Sequence, residues 1–156
     1  MSALMDLVAG DERSILLAIS VEDWAGLDDE SRFDAHLALG GGLDPTWLDL
    51  FSEAVRTATA GEGPADFIDA RRELDGSNDT SERIIERVDP GWIDAIARIP
   101  DHDIDAVAGR WISLVEEEIG FLPREEKPWI RKLAGDIVRF AQAADHSSDV
   151  LFAWSL

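Results

Sequence analysis

The chain has 156 residues, no cysteine, and 33 Asp and Glu residues against 14 Lys and Arg residues, which gives a net charge of −19. The lack of cysteine excludes disulfides, thiol catalysis and zinc sites built on cysteine. The length and a hydrophobic content of 46% predict a single packed globular domain over residues 1–156.

The N-terminal segment lacks the basic start and long apolar run of a secretory signal. The sequence also contains no run of about 20 apolar residues, the length that a membrane-spanning helix needs. We therefore expect a soluble, cytoplasmic protein with no membrane partner.

The acidic charge bears most directly on the choice of partner. It repels the phosphate backbone, and no basic stretch offsets it, so we expect no nucleic-acid partner. Two interpretations of the charge stay open. It either solvates the surface or steers a basic protein partner towards the chain.

Short elements are predicted in the first part of the chain. Residues 2–8 predict a short helix, because Leu4 and Val8 fall on one side of a helical turn. The apolar run Ser14–Ile19 lacks helical periodicity. It predicts a buried strand, because Ser20 is typical of the residue that precedes a new helix.

Helices are predicted through the middle of the chain from their starting residues. Asp44-Pro45 and Asp89-Pro90 each place a capping side chain before a proline, which favours the first turn of a helix. Ser31 and Thr80 are further capping candidates. The predicted helices lie at 32–39, 45–59, from Pro64 onward, 81–88 and 90–99.

The clearest predicted helix is 103–119, around which we expect the domain to be organised. Its apolar residues are Ile104, Val107, Ala108, Trp111, Ile112, Val115 and Ile119. Their spacing of three or four residues places most of them on one face of a helix. Gly120 follows, a residue that commonly ends a helix because it adopts positive φ without steric cost.

A last helix is predicted over 129–144, followed by a polar turn and the apolar run 150–156. An exposed segment of that composition would promote aggregation, so we expect it to be packed, with the run 14–19 as its strand partner. The predicted fold is therefore mainly α. It is a single-domain bundle of about seven helices with a short two-strand element formed by residues 14–19 and 150–155.

Three short patterns in the C-terminal half resemble small acidic bacterial proteins of unknown function. They are A-x-x-W, F-A-x-x-A and V-L-F-x-W-S-L, formed by Ala108, Trp111, Phe140, Ala141, Ala144 and Val150–Leu156. The resemblance implies a bacterial source and a mainly helical fold. It implies no activity, because no catalytic motif belongs to it.

Candidate ligands for a metal ion concentrate in one segment. Asp101, His102, Asp103 and Asp105 supply three carboxylates and an imidazole, which suit a divalent metal. The competing interpretation is that Asp101 or Asp103 caps the following helix. Of the other histidines, His36 falls inside the predicted helix 32–39 and His146 in a turn.

Two hypotheses of function follow. The first is a non-enzymatic protein-binding module whose acidic surface meets a basic partner, in the manner of an antitoxin or immunity protein. We expect no cofactor and no catalytic residues for such a module. The second is a small metal-dependent enzyme or ligand sensor that uses the segment from Asp101 to Asp105.

Overall fold

The computed structural model describes residues 4–40, 44–59, 63–74 and 83–155. The strands are β1 (Leu4–Gly10), β2 (Ala35–Gly40), β3 (Arg71–Glu73), β4 (Arg83–Val88) and β5 (Asp149–Ser155). The α-helices are α1 (Glu12–Ser20), α2 (Thr46–Ala58), α3 (Pro90–Ala97), α4 (Ile104–Ile119) and α5 (Lys127–Ala144). Short 3₁₀ turns lie at Ala25–Asp28, Phe67–Ala70, Asp101–Asp103 and Arg124–Glu126.

A five-stranded antiparallel sheet of order β2-β1-β5-β4-β3 forms the frame of the fold. The predicted mainly α bundle of about seven helices is therefore wrong, and the protein is α plus β. The predicted strand at 150–155 exists as β5, but its assigned partner is wrong. Residues 14–19 lie in α1, and β5 pairs with β1 and β4.

Three predicted helices are in fact strands. Segments 2–8, 32–39 and 81–88 overlap β1, β2 and β4. Strands between two apolar layers carry apolar side chains at successive positions, and such runs also match helical spacing by chance. In β1, Leu7, Val8 and Ala9 follow one another and all are fully buried.

The helix predicted from Pro64 onward is replaced by the 3₁₀ turn Phe67–Ala70 and the short strand β3. The run 14–19 shows the reverse error, because a predicted strand is in fact a helix. Its apolar residues include the buried face of α1. Ile15, Ala18 and Ile19 are buried, whereas Leu17 is exposed. The cap predicted at Thr80 lies outside the described residues.

Four of the predicted helices are confirmed as α2, α3, α4 and α5, within about three residues at each end. Asp44 accepts a hydrogen bond from the backbone N–H of Thr46, and Asp89 from that of Gly91. Gly120 ends α4 with φ of 84°, the left-handed value expected of it. Among the described helices, each is too short or too polar to cross a membrane.

The side chains of the sheet alternate between two apolar layers. Leu7 and Phe152 belong to a large cluster that contains the buried faces of α2, α3, α4 and α5. Val8 and Leu151 belong to a smaller cluster with α1. Leu27, from the 3₁₀ turn Ala25–Asp28, joins this smaller cluster and anchors the turn beside the edge strand β2.

Candidate functional site

The segment Asp101–Asp105 does not gather into a ligand set. His102 is 82% exposed, and its Nε2 lies 3.6 Å from Asp103 Oδ1. Asp105 points instead towards Arg131, 4.0 Å away. Across the part of the chain that the structure describes, there is no group of three or more His, Asp or Glu side chains arranged for a metal ion. The metal hypothesis stays a prediction.

The interpretation of the same segment as a helix cap is supported by the position of Asp103 alone. Asp103 occupies the residue before α4, but its side chain makes no capping hydrogen bond there. It lies beside a groove of about 610 Å³ between the ends of α2 and α3. The charged residues Asp94 and Arg98 also border this groove, and they form an ion pair of 3.0 Å with each other.

A more organised polar cluster surrounds His36, on the strand that ends the sheet. His36 lies opposite Val8 of β1, so its side chain projects to the face covered by α1 and the 3₁₀ turn Ala25–Asp28. Its Nε2 lies 2.7 Å from Oδ1 of Asp6, in β1. Its Nδ1 lies 2.7 Å from Oδ1 of Asp28, the last residue of the turn.

The three side chains differ sharply in their access to water. His36 is 8% exposed and Asp6 is 14% exposed, whereas Asp28 is 71% exposed. Burial on its own lowers the pKa of His36, because it disfavours the charged ring. The hydrogen bonds to Asp6 and Asp28 outweigh that effect, and the pKa of His36 is raised above its ordinary value of 6.5.

The His36 ring also borders a groove of about 370 Å³ between the edge strand β2, the turn Ala25–Asp28 and α5. We call this the β2 groove. Its charged and titratable residues are Asp28, Glu30, Asp34, His36, Asp136 and Arg139. Its apolar lining includes Leu27, Phe33 and Phe140.

Two of the four carboxylates of the β2 groove have a partner within it, because Asp28 meets the His36 ring and Asp136 meets Arg139. Arg139 lies 3.2 Å from Asp136, which also binds Lys132 at 2.8 Å. Asp34 accepts a hydrogen bond of 2.7 Å from the Ser147 hydroxyl, a neutral partner. A groove with four carboxylates, one guanidinium and one imidazole is chemically suited to a cationic group.

The same geometry argues against His36 as a general base in this arrangement. Both ring nitrogens face carboxylates at hydrogen-bond distance, so neither is directed at a substrate. The ring instead links two elements that are far apart in sequence.

His36 lies in the strand β2 and not in the predicted helix 32–39, and its two aspartate partners were not predicted. The alternation of His36 and Ala38 with the more apolar Leu37 and Leu39 was the available signal for a strand. Asp6, a single carboxylate within an apolar run, was the second signal. Asp28 had none, because its position depends on how the turn folds back onto the sheet.

Comparison with known protein families, with characterised proteins and with solved structures finds no match to this chain. The interpretation of the site therefore rests on its own chemistry.

Proposed function

We propose that this chain is a non-enzymatic protein-binding module that uses its acidic surface to bind a partner with a basic face. Antitoxins and immunity proteins are binding modules of this kind. The observation that carries the proposal is the β2 groove, which has four carboxylates and an apolar lining against one guanidinium and one imidazole.

The distribution of positive charge supports this proposal. Many Lys and Arg side chains are held in ion pairs within the chain: Arg32, Arg56, Arg71, Arg87, Arg98, Lys127, Arg131, Lys132 and Arg139. These cations face carboxylates of the chain itself, two of them sharing Asp136, and the excess of 19 negative charges remains for the surroundings to balance. A field of this sign accelerates encounters with a basic protein.

The dimensions of the β2 groove favour side chains as its occupants. A volume of about 370 Å³ suits a few side chains of a partner rather than a whole element. Arg and Lys combine an apolar stem with a charged end. Ala35 and Leu37, the half-buried apolar residues of the lining, would receive the stem, and Glu30, which is exposed, would meet the charge.

The proposal is tested by capture of partners from a lysate of the source organism at low salt, followed by kinetics on the purified pair. We expect a basic protein whose association rate falls as salt is added. Screening shortens the reach of charge from about 10 Å at 0.1 M to about 3 Å at 1 M ionic strength. An association rate that is independent of salt would contradict the electrostatic mechanism.

A matched pair of variants separates the β2 groove from the overall charge. Glu30→Arg reverses a charge at the groove, whereas Glu117→Arg reverses a charge at an exposed position of α4. Both variants change the net charge equally. We expect Glu30→Arg to weaken binding at least about tenfold more than Glu117→Arg, equivalent to about 1.4 kcal/mol. Equal effects would locate the partner elsewhere on the acidic surface.

A further inference from the structure

The Asp6–His36–Asp28 arrangement has a property that depends on a single proton. A carboxylate only accepts hydrogen bonds, whereas a neutral imidazole has one N–H donor and one acceptor nitrogen. The His36 ring therefore donates to both aspartates, at 2.7 Å on each side, only when it is protonated. Loss of the proton leaves one carboxylate facing a nitrogen lone pair.

The two aspartates do not share the consequence equally. Asp6 is 14% exposed, so an unpaired charge there is costly, whereas Asp28 is 71% exposed and water replaces its partner cheaply. The neutral ring therefore keeps its N–H on Nε2, towards Asp6. The contact between Nδ1 and Asp28 is the one that breaks.

Asp28 ends the 3₁₀ turn Ala25–Asp28, which forms one wall of the β2 groove. Leu27 holds this turn to the smaller apolar cluster, and Asp28 adds a charged link to the sheet. We propose that His36 is a pH-dependent clasp, which fastens this wall to the sheet while the ring is protonated and releases it when the ring is neutral. This device goes beyond the proposed function and does not depend on it.

The charged groups around the ring act in opposite directions. From the loop that carries the turn, Asp28, Glu30 and Asp34 face the groove and favour the protonated ring, as does Asp6 from β1. From α5, Asp136 favours the protonated ring and Arg139 opposes it. Arg139 lies 3.2 Å from Asp136, so most of its effect is cancelled.

The sign of the pH dependence follows from these contacts. Burial lowers the pKa of His36, and the hydrogen bonds with the two aspartates raise it by more. A raised pKa in the folded state means that the stabilising contribution is complete below the unfolded value of 6.5. It is lost as the pH rises through the folded pKa. The clasp is closed in mild acid and opens on the alkaline side.

The test is an NMR titration of the isolated full-length chain, with no partner present. The ring nitrogens of His36 are followed across the titration. We expect His36 to titrate above its ordinary value of 6.5 and to lose its proton from Nδ1. We expect the backbone amide of Leu27 to shift with the same midpoint.

The variant Asp28→Asn removes the charge of the outer partner without emptying the core, because Asp28 is mostly exposed, and the asparagine amide can bond Nδ1 in either protonation state of the ring. It should lower the titration midpoint of His36 and abolish the pH-dependent shift at Leu27. Glu30→Gln is the matched control, since it removes a nearby charge that is not bonded to the ring, and it should preserve the shift. The proposal is overturned if His36 titrates at or below 6.5, or if the Leu27 amide does not shift as His36 titrates. Failure to find a protein partner would leave this result unaffected.

Discussion

Replacement of Trp111 by phenylalanine tests how the helical layer is held together. Trp111 is fully buried in α4, and its Nε1 donates a hydrogen bond of 2.8 Å to the backbone carbonyl of Trp47, in α2. Its ring meets Phe51 edge-on, with centroids 5.0 Å apart. The substitution keeps an aromatic ring but removes the N–H and part of the volume.

The cost can be worked out from these contacts. The Trp47 carbonyl lies in the first turn of α2, so it retains its bond within the helix, and the lost hydrogen bond is worth about 1 kcal/mol. The smaller ring removes apolar volume equivalent to roughly two methylenes, about 1.6 kcal/mol. We expect Trp111→Phe to lower the free energy of unfolding by about 2–3 kcal/mol.

The assay is urea unfolding at equilibrium, followed by circular dichroism so that the loss of a tryptophan does not alter the signal. The midpoint should fall with an unchanged slope, which indicates a loss of stability rather than a change in the unfolded state. Trp129→Phe is the control. Trp129 is 38% exposed, so the change should stay within about 0.5 kcal/mol. A loss below about 1 kcal/mol for Trp111→Phe would refute the reasoning.

Two further predictions concern partly buried carboxylates. Glu86 pairs with Arg71 at 3.1 Å and accepts a bond from the Trp154 indole, so Glu86→Gln should cost about 1–3 kcal/mol. Adding Arg71→Met should restore part of that loss in a double-mutant cycle, and strictly additive losses would contradict a coupled pair. Burial raises the pKa of Asp49, so this carboxyl contributes stability at low pH that is lost as the pH rises from 3.8 through its folded pKa. Asp49→Asn should therefore unfold at higher urea than the wild type at neutral pH. That difference should vanish below pH 3.8, and a constant difference would argue against titration of Asp49.

Three of the predicted helices, α2, α3 and α4, have local signals at one of their ends. Asp44 and Asp89 bond to nearby backbone N–H groups, and Gly120 adopts its left-handed conformation within a single residue. Such interactions involve neighbours in the chain, so the pattern of residue types contains most of the information.

The strands were missed because their cause is not local. Val8 is buried only because α1 covers one face of the sheet, and Leu7 only because the larger helical layer covers the other. Neither layer can be inferred from the residues next to them. The run 14–19 was misassigned for the converse reason, since the exposure of Leu17 identifies its helical face only in the folded molecule.

The candidate site depends on still longer separations. His36 and Asp6 are 30 residues apart, and Ser147 reaches Asp34 across 113 residues. The cluster that sequence analysis preferred, from Asp101 to Asp105, was attractive because its members are adjacent. Adjacent side chains on an exposed turn diverge into water, as the side chain of His102 does.

The central position of β5 has a consequence for how the protein is made. Asp149–Ser155 is the last described strand to leave the ribosome, yet it joins β1 to β4, with Leu4 opposite Ser155. Until β5 is synthesised, the edges of β1 and β4 that pair with it in the finished sheet have no partner. Both edges then expose backbone groups that can pair wrongly. Contacts between residues so distant in sequence also form slowly. The sheet is therefore completed only once β5 has been synthesised, and its half-built edges are the part of the nascent chain that a chaperone would need to shield.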